Sequence, residues 1–262
     1  MTEENTISIL NPRTAIVQQL RRLLPGVQGA RKALPFGLAA IDSRLPDAGL
    51  TAGALHEIVP AAQAALPAAL GFVAALLARL PRAFPIVLVL PAYGWRSYGR
   101  PRGHGFSGHG FNSLGLDPAR LVLVETAQRK ETLWALAEAL HSAAPAAVAG
   151  LIDRLDLKTS QKLQLAANDG GLPLFLIRPA HTLEASAAAT RWRIGAAKAA
   201  RDRFGRITQA RWQVNLERCR NGRPGEWVVE YDHVAHRFSL AAALADPALS
   251  RRASDQSWRQ VG

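Results

Sequence analysis

Arginine beside tryptophan is the residue combination in this sequence with the plainest chemical use. Arg211, Arg218, Arg220 and Arg223 stand close to Trp212 and Trp227, and Arg191, Arg193, Lys198, Arg201, Arg203 and Arg206 come just before them. A guanidinium keeps its charge everywhere and forks onto phosphate or carboxylate. An indole face stacks a nucleobase at ~1–3 kcal/mol. The pattern suits single-stranded DNA or an acidic protein surface. A second reading uses the same residues differently: the tryptophans anchor a small core and the arginines form a solvated face. Alternation puts Trp212, Val214 and Leu216 on one side of a strand and Arg211, Gln213, Asn215 and Glu217 on the other. That favours a core role for Trp212, with Arg218 breaking toward the Trp212 side as the strand ends.

A second basic group sits in Tyr93–Phe111, where Arg96, Arg100 and Arg102 are interleaved with glycines and aromatics and no acidic residue occurs. Such a loop, hanging from the end of a parallel strand, lies where sheets of that kind place function. Its His104 and His109 have no cysteine or carboxylate nearby and are too few to make a metal site. Ser107, His109 and Asp117 are the residue types of a hydrolytic triad. Triads, however, are defined by geometry, and no nucleophile elbow is present. No catalytic residue, cofactor site or metal site is assigned from these sets.

The elements that must position these residues alternate. An amphipathic helix starts at Asn11-Pro12, with Ile16, Leu20, Leu23 and Leu24 on one face and Gln18, Arg21 and Arg22 on the other. Ala54–Val59 reads as a buried strand. Leu66, Leu70, Val73, Leu77 and Leu80 recur at helical spacing, so a helix runs from about Gln63 to Leu80. Ile86–Leu90 is a continuous apolar run, as expected of a strand covered on both faces, and Leu121–Val124 is another. Glu131–His141 is a helix with Leu133, Leu136, Ala137 and Leu140 facing in. Ala146–Ile152 is a strand, Lys158–Ala167 a helix and Leu174–Ile177 a strand. Strand and helix in alternation imply a parallel sheet with right-handed crossovers. After Arg178 the pattern changes. Arg191–Ile194, Arg211–Arg218 and Glu226–Tyr231 alternate like antiparallel strands, with a turn at Arg223-Pro224-Gly225. The polar stretch after Ala245 reads as a loose tail.

Composition narrows the setting. The 262 residues carry a formal net charge of +12, and 48% are hydrophobic. That length buries a substantial core. The charge suits an acidic partner, although a basic, arginine-rich proteome would produce it as well. One cysteine, Cys219, excludes an intrachain disulfide and a structural zinc site and fits a reducing cytoplasm. The most apolar stretch, Leu66–Leu90, is broken by Arg79, Pro81, Arg82 and Pro85, so no membrane span is expected.

Two segments give a resemblance. Leu34-Pro35-Phe36-Gly37-Leu38-Ala39-Ala40-Ile41-Asp42, followed by Gly49-Leu50-Thr51-Ala52-Gly53-Ala54-Leu55-His56-Glu57-Ile58, resembles the opening pattern of the RecA superfamily. There such residues lead into the first strand and then a phosphate loop, G-x-x-x-x-G-K-[ST], whose amides cradle phosphates. Gly49 and Gly53 would bracket the turn that feeds the strand. At the phosphate-loop position this chain has Pro60-Ala61-Ala62-Gln63-Ala64-Ala65-Leu66-Pro67, with no glycine, lysine or hydroxyl. The superfamily's carboxylate after the second strand is replaced by Pro91-Ala92-Tyr93. The carboxylate expected near residue 150 is replaced by Ala149-Gly150-Leu151, with Asp153 the nearest acid. Asp153 and Asp156 then read as helix-initiating and surface residues rather than metal ligands. The resemblance implies an α/β fold: a RecA-like core with a mostly parallel sheet flanked by helices, plus C-terminal antiparallel strands. The segments would be an N-terminal helix and linker at 1–33, the core with a degenerate phosphate loop at 34–180, the antiparallel extension at 181–245 and a tail at 246–262. It also implies no ATPase activity.

More specifically, the chain resembles the ImuA family of RecA/SulA-like proteins from bacterial damage-induced mutagenesis cassettes. The stretches that carry this are Gly53–Glu57, Leu114–Leu121, Leu133–Leu140, Leu155–Ala167, Ala189–Arg193 and Arg218–Trp227, in order, together with Leu34–Leu38. The resemblance implies a non-catalytic accessory role in the SOS response and translesion synthesis. Its partners would be an ImuB-type Y-family-like protein, an error-prone DnaE-type polymerase and RecA itself. Two other readings stay open: a stand-alone single-stranded-DNA-binding module and an atypical RecA-like ATPase.

Overall fold

The computed structural model describes residues 33–92, 110–201, 204 and 207–241. The amphipathic segment after Asn11, the arginines Arg96, Arg100 and Arg102 with their loop, and the tail after Ala245 lie outside the described residues.

The chain enters through a short pair, β1 (Ala33–Leu34) and β2 (Leu50–Thr51), which run antiparallel. Between them lies α1 (Ala39–Asp42). Asp42 closes this loop: its carboxylate accepts the backbone N–H of Phe36 at 2.7 Å and of Leu38 at 3.0 Å. The side chain is nearly buried, and charged acceptors hold amides more strongly than neutral ones. Asp42→Ala is expected to cost about 1.5–3 kcal/mol of stability, read from urea denaturation, with Asp42→Asn retaining part of it. The two glycines of the opening motif act in different ways. Gly49 is extended, but a Cβ there would sit 2.8 Å from the Leu34 carbonyl, so it permits the close approach of β1. Gly53 has φ +72° and makes the left-handed turn into the sheet.

The main sheet then forms in the expected order: β3 (Leu55–Pro60), α2 (Leu66–Ala78), β4 (Ile86–Pro91), β5 (Leu121–Thr126), α3 (Arg129–His141), β6 (Ala147–Leu151), α4 (Leu157–Gly170) and β7 (Leu174–Ile177). β8 (Thr190–Ala196), β9 (Ala200–Arg201), β10 (Ile207–Cys219), β11 (Gly225–Asp232) and β12 (Arg237–Leu240) follow. The spatial order is β12-β11-β10-β8-β3-β7-β6-β4-β5, with β9 paired to β10. Strands β8 through β5 in that order run parallel, and β10, β11 and β12 are antiparallel. This is the α/β architecture expected of a RecA-like core with a C-terminal antiparallel extension. Sequence alternation suggested that Arg191–Ile194 was antiparallel. β8 is instead the junction, parallel to β3 on one side and antiparallel to β10 on the other. β12 was not anticipated. Its four residues are too short a run to show alternation.

Each sheet face has its own core. On one, α2 packs on Ile58, Leu88, Phe175, Trp192, Trp212, Val214, Tyr231 and Phe238. Phe72 of α2 meets Trp212 edge-on at 5.9 Å, and Phe36 lies 5.2 Å from Trp192. Trp212 is therefore a core residue, as alternation favoured. On the other face, α3 and α4 cover Leu55, Val89, Val148, Leu174 and Leu176. The helices meet at their C-terminal ends, where a Cβ on Gly170 would lie 2.3 Å from the Leu140 carbonyl oxygen.

One expectation fails. Leu121–Val124 was read as a strand covered on both faces, like Ile86–Leu90. β5 is the outermost strand, and Val122 and Leu123 are 47% and 44% exposed. An apolar run of strand length signals burial but does not tell a central strand from an edge.

Candidate functional site

In parallel α/β sheets, ligands settle in the crevice beyond the C-terminal ends of the strands. Here that crevice is lined by Pro60, Pro91, Leu151 and Ile177, the last residues of β3, β4, β6 and β7, and by Asp153 and Arg178 just beyond β6 and β7. Its volume is about 90 Å³, room for about three waters and well below the ~300 Å³ at which small-molecule sites begin. The turn over it, at the phosphate-loop position, offers few donors. Pro60 and Pro67 have no amide hydrogen. The Ala61 N–H is held by the Ile194 carbonyl at 2.7 Å, and that of Ala65 by Ala62 at 2.9 Å. Gln63–Ala65 is a single 3-10 turn that leads directly into α2. Gly195 of β8 leaves room for the Ala61 methyl, which a Cβ would approach to 3.2 Å, so the turn is pinned against β8 rather than arched over a ligand.

The two acids near this crevice have local uses. Asp156 caps α4: it accepts the Thr159 N–H at 2.8 Å and the Thr159 hydroxyl at 2.7 Å. The hydroxyl bond first, then the amide bond, holds its carboxyl below the ordinary aspartate range. Asp153 accepts the N–H of Arg154. Among the described residues no cluster of three or more His, Cys, Asp or Glu side chains is placed to hold a metal ion.

Beside the crevice lies a charge cluster that sequence reasoning missed. Glu57, in the middle of β3, is fully buried. Its Oε1 lies 3.4 Å from Arg178, which is itself fully buried, and its Oε2 lies 2.8 Å from Arg191. Arg178 also reaches Glu184 at 3.0 Å, and Arg191 donates to the Glu184 carbonyl at 2.6 Å. Desolvation lowers the Arg178 pKa, and Glu57 opposes that shift most strongly. The partners come from the end of β7, from β8 and from the connection between them, and the two strands flank β3 on either side. Glu57 thus stitches a crossover that passes over its own strand. The signal available was an acid inside an otherwise apolar strand, which is rarely buried unless paired.

The candidate binding arginines Arg211, Arg218, Arg220 and Arg223 are placed as follows. Arg218 donates to the carbonyls of Ser186 at 2.9 Å and Ala188 at 2.8 Å, and Arg220 to that of Ala187 at 2.7 Å, so both clasp the same crossover. Arg218 does not fall on the Trp212 side. A register shift between Leu216 and Arg218 sets it opposite Arg191, because a bulge adds one residue and returns the next side chain to the other face. Arg211 pairs with Glu230 and Arg193 with Glu217. Arg223 is exposed in the β10–β11 turn, with its backbone N–H on the Arg44 carbonyl. On this sheet face Arg191, Arg193 and Arg211 are each paired with a glutamate, Glu57, Glu217 and Glu230 respectively, while Arg218 is held by backbone carbonyls and Glu226 by Gln213. Trp212 is 4% exposed and offers no free stacking face, whereas Trp227 is half-buried against the same core.

His56, next to Glu57, points to the opposite side. Its Nδ1 lies 2.8 Å from the Thr190 hydroxyl, whose oxygen also accepts the Trp192 indole N–H at 2.8 Å. Its Nε2 lies 3.0 Å from the Thr51 carbonyl, which can only accept, so Nε2 carries the proton. Burial lowers the His56 pKa to about 4, and the ring is neutral.

No family model matches the chain. Comparison with curated proteins finds Protein ImuA from two strains of Caulobacter vibrioides, each 33% identical over 240 residues, covering 84% of this chain and 93% of theirs. Identity of that extent, joined to the ordered motifs and a RecA-like sheet, settles the kinship: this chain belongs to the ImuA family.

Proposed function

We propose that this protein is a non-catalytic accessory component of damage-induced mutagenesis that joins or modulates a translesion-synthesis assembly. The observation that carries the reading is the small crevice at the strand ends: a RecA-like sheet is intact, but the position of a phosphate cradle holds alanines between two prolines. Binding faces, not turnover, are then what the fold has to offer. The partners that fit are an ImuB-type protein, an error-prone DnaE-type polymerase and RecA. A chain that keeps a RecA-like contact face without a nucleotide site would cap a filament end or tie it to a polymerase.

Isothermal titration with ATP and Mg²⁺ tests the first half. No resolvable heat is expected through the millimolar range, and micromolar binding or measurable hydrolysis would overturn the proposal. Co-purification with an ImuB-type protein, or with RecA, tests the second. Failure to retain either would remove the adaptor role. Arg211 is engaged by Glu230 and Arg218 by backbone carbonyls, which gives a DNA-binding role for this face no particular support. Only a weak affinity for single strands is expected, falling with salt as for any chain of net charge +12 and unchanged by Arg211→Ala.

A further inference from the structure

On the outer side of the sheet, α3 and α4 run side by side and leave an open groove of about 550 Å³ between them. Its walls are Leu133, Trp134, Ala137, Leu163, Leu165 and Ala166. Trp134 is 63% and Leu165 61% exposed. Scattered exposed apolar residues are ordinary, but two large ones facing one groove mark a docking surface. At its C-terminal end the groove is lined by His141 and Asp169.

Where the described chain begins bears directly on what fills this groove. Ala33 pairs with Thr51 across β1 and β2. Two residues further on, Gly53 is packed against the C-terminal part of α4, its Cβ position 3.4 Å from the Asn168 α-carbon. Gln164 of α4 ties the same corner, bonding the Leu55 N–H at 2.9 Å and the Gly53 carbonyl at 3.3 Å. The residues that precede Ala33 therefore leave from the Asp169 end of the groove. Upstream, Ile16, Leu20, Leu23 and Leu24 recur at helical spacing, followed by Pro25-Gly26. Residues 25–32 span at most about 29 Å when extended, enough to bring this stretch back along α4. As a helix, residues 14–24 would be about 16 Å long, against about 20 Å for α3 and α4.

We propose that the amphipathic stretch 14–24 of the same chain docks in the α3–α4 groove, with Leu20 and Leu24 against Trp134 and Leu165. The interaction covers the exposed indole of Trp134 and the Leu165 side chain. It stands whether or not the mutagenesis role holds.

The test uses the full chain. In a Cys219→Ala background, the pair Leu20→Cys and Leu165→Cys should form an intrachain disulfide at micromolar protein, while Leu20→Cys with Leu240→Cys, on β12 at the opposite edge of the sheet, should not. A crosslink found only between chains would assign the groove to a second copy and overturn the proposal. So would equal crosslinking of the two pairs. An independent readout is ¹⁹F NMR of 5-fluorotryptophan protein, with the Trp134 resonance identified by Trp134→Phe. That resonance should be shielded from solvent in the parent chain and become exposed in Leu20→Glu. A Trp134 resonance already exposed in the parent and unmoved by Leu20→Glu would sink the idea.

Discussion

Glu57→Gln is expected to destabilise the protein by about 3–5 kcal/mol, a large share of the ~5–15 kcal/mol typical of a folded domain. The carboxylate lies between Arg178, which has no solvent access, and the mostly buried Arg191. Removing its charge leaves two guanidinium groups facing each other, with Glu184 and, more weakly, Asp153 to offset them. The Arg178 Nε already has no hydrogen-bond partner and no exposure to water, so the site has no slack for a second loss. Urea denaturation of the single variant is the measurement. A double variant, Glu57→Leu with Arg178→Met, should recover much of the deficit, because replacing both buried charges is far less harmful than removing one. A change below 1 kcal/mol in the single variant would mean that the crossover is held by its other contacts, those from Arg218 and Arg220.

The second large effect is on acid stability. His56 has a folded-state pKa of about 4 against 6.5 in the unfolded chain. A depressed value means that the unfolded chain takes up a proton first as pH falls. The stabilisation is whole above about pH 6.5, declines between 6.5 and 4, and is gone below both values. The difference amounts to about 3 kcal/mol, of which about 2 kcal/mol is lost by pH 5. In structural terms, protonation would put a hydrogen on Nδ1, where the Thr190 hydroxyl is already the donor. Stability measured from pH 7 to pH 4 should therefore fall more steeply for the parent than for His56→Gln, which starts lower but lacks this proton uptake. Parallel slopes would show that the buried ring does not govern the acid limb.

The core of the fold was legible because its signals are local. Ile86–Leu90 and Leu174–Ile177 are unbroken apolar runs, and α2 repeats leucine and valine at helical spacing. That Ala61–Ala65, between β3 and α2, holds no glycine, lysine or hydroxyl is equally plain, since residue types need no geometry. What sequence could not supply was the identity of partners across the sheet. Arg218 and Arg220 have the composition of a phosphate-binding pair, yet their donors are directed at carbonyls from residues 186–188, about thirty positions upstream. The bulge that turns Arg218 away from Trp212 leaves no mark in the alternation until the register of β8 is known. Glu57 and Arg178 are 121 residues apart, and only the β3–β7 pairing brings them together. Of the residues assigned to the inward face of α3, Leu136 and Leu140 are buried, but Leu133 and Ala137 are half-buried walls of the groove, and that Trp134 shares it with Leu165 depends on how two helices lie on one sheet.

Gly170 gives that groove a mechanical property. With only a hydrogen on its α-carbon, the last turn of α4 rests directly on the Leu140 carbonyl, and the two helices touch backbone to backbone there. A methyl group at this point would act as a wedge that pries the C-terminal ends apart. The channel beside Trp134 would then widen as the packing beneath it loosened. The spacing of the outer surface and the integrity of the inner core are thus set by the same atom, and neither can be tuned by evolution or by design without moving the other.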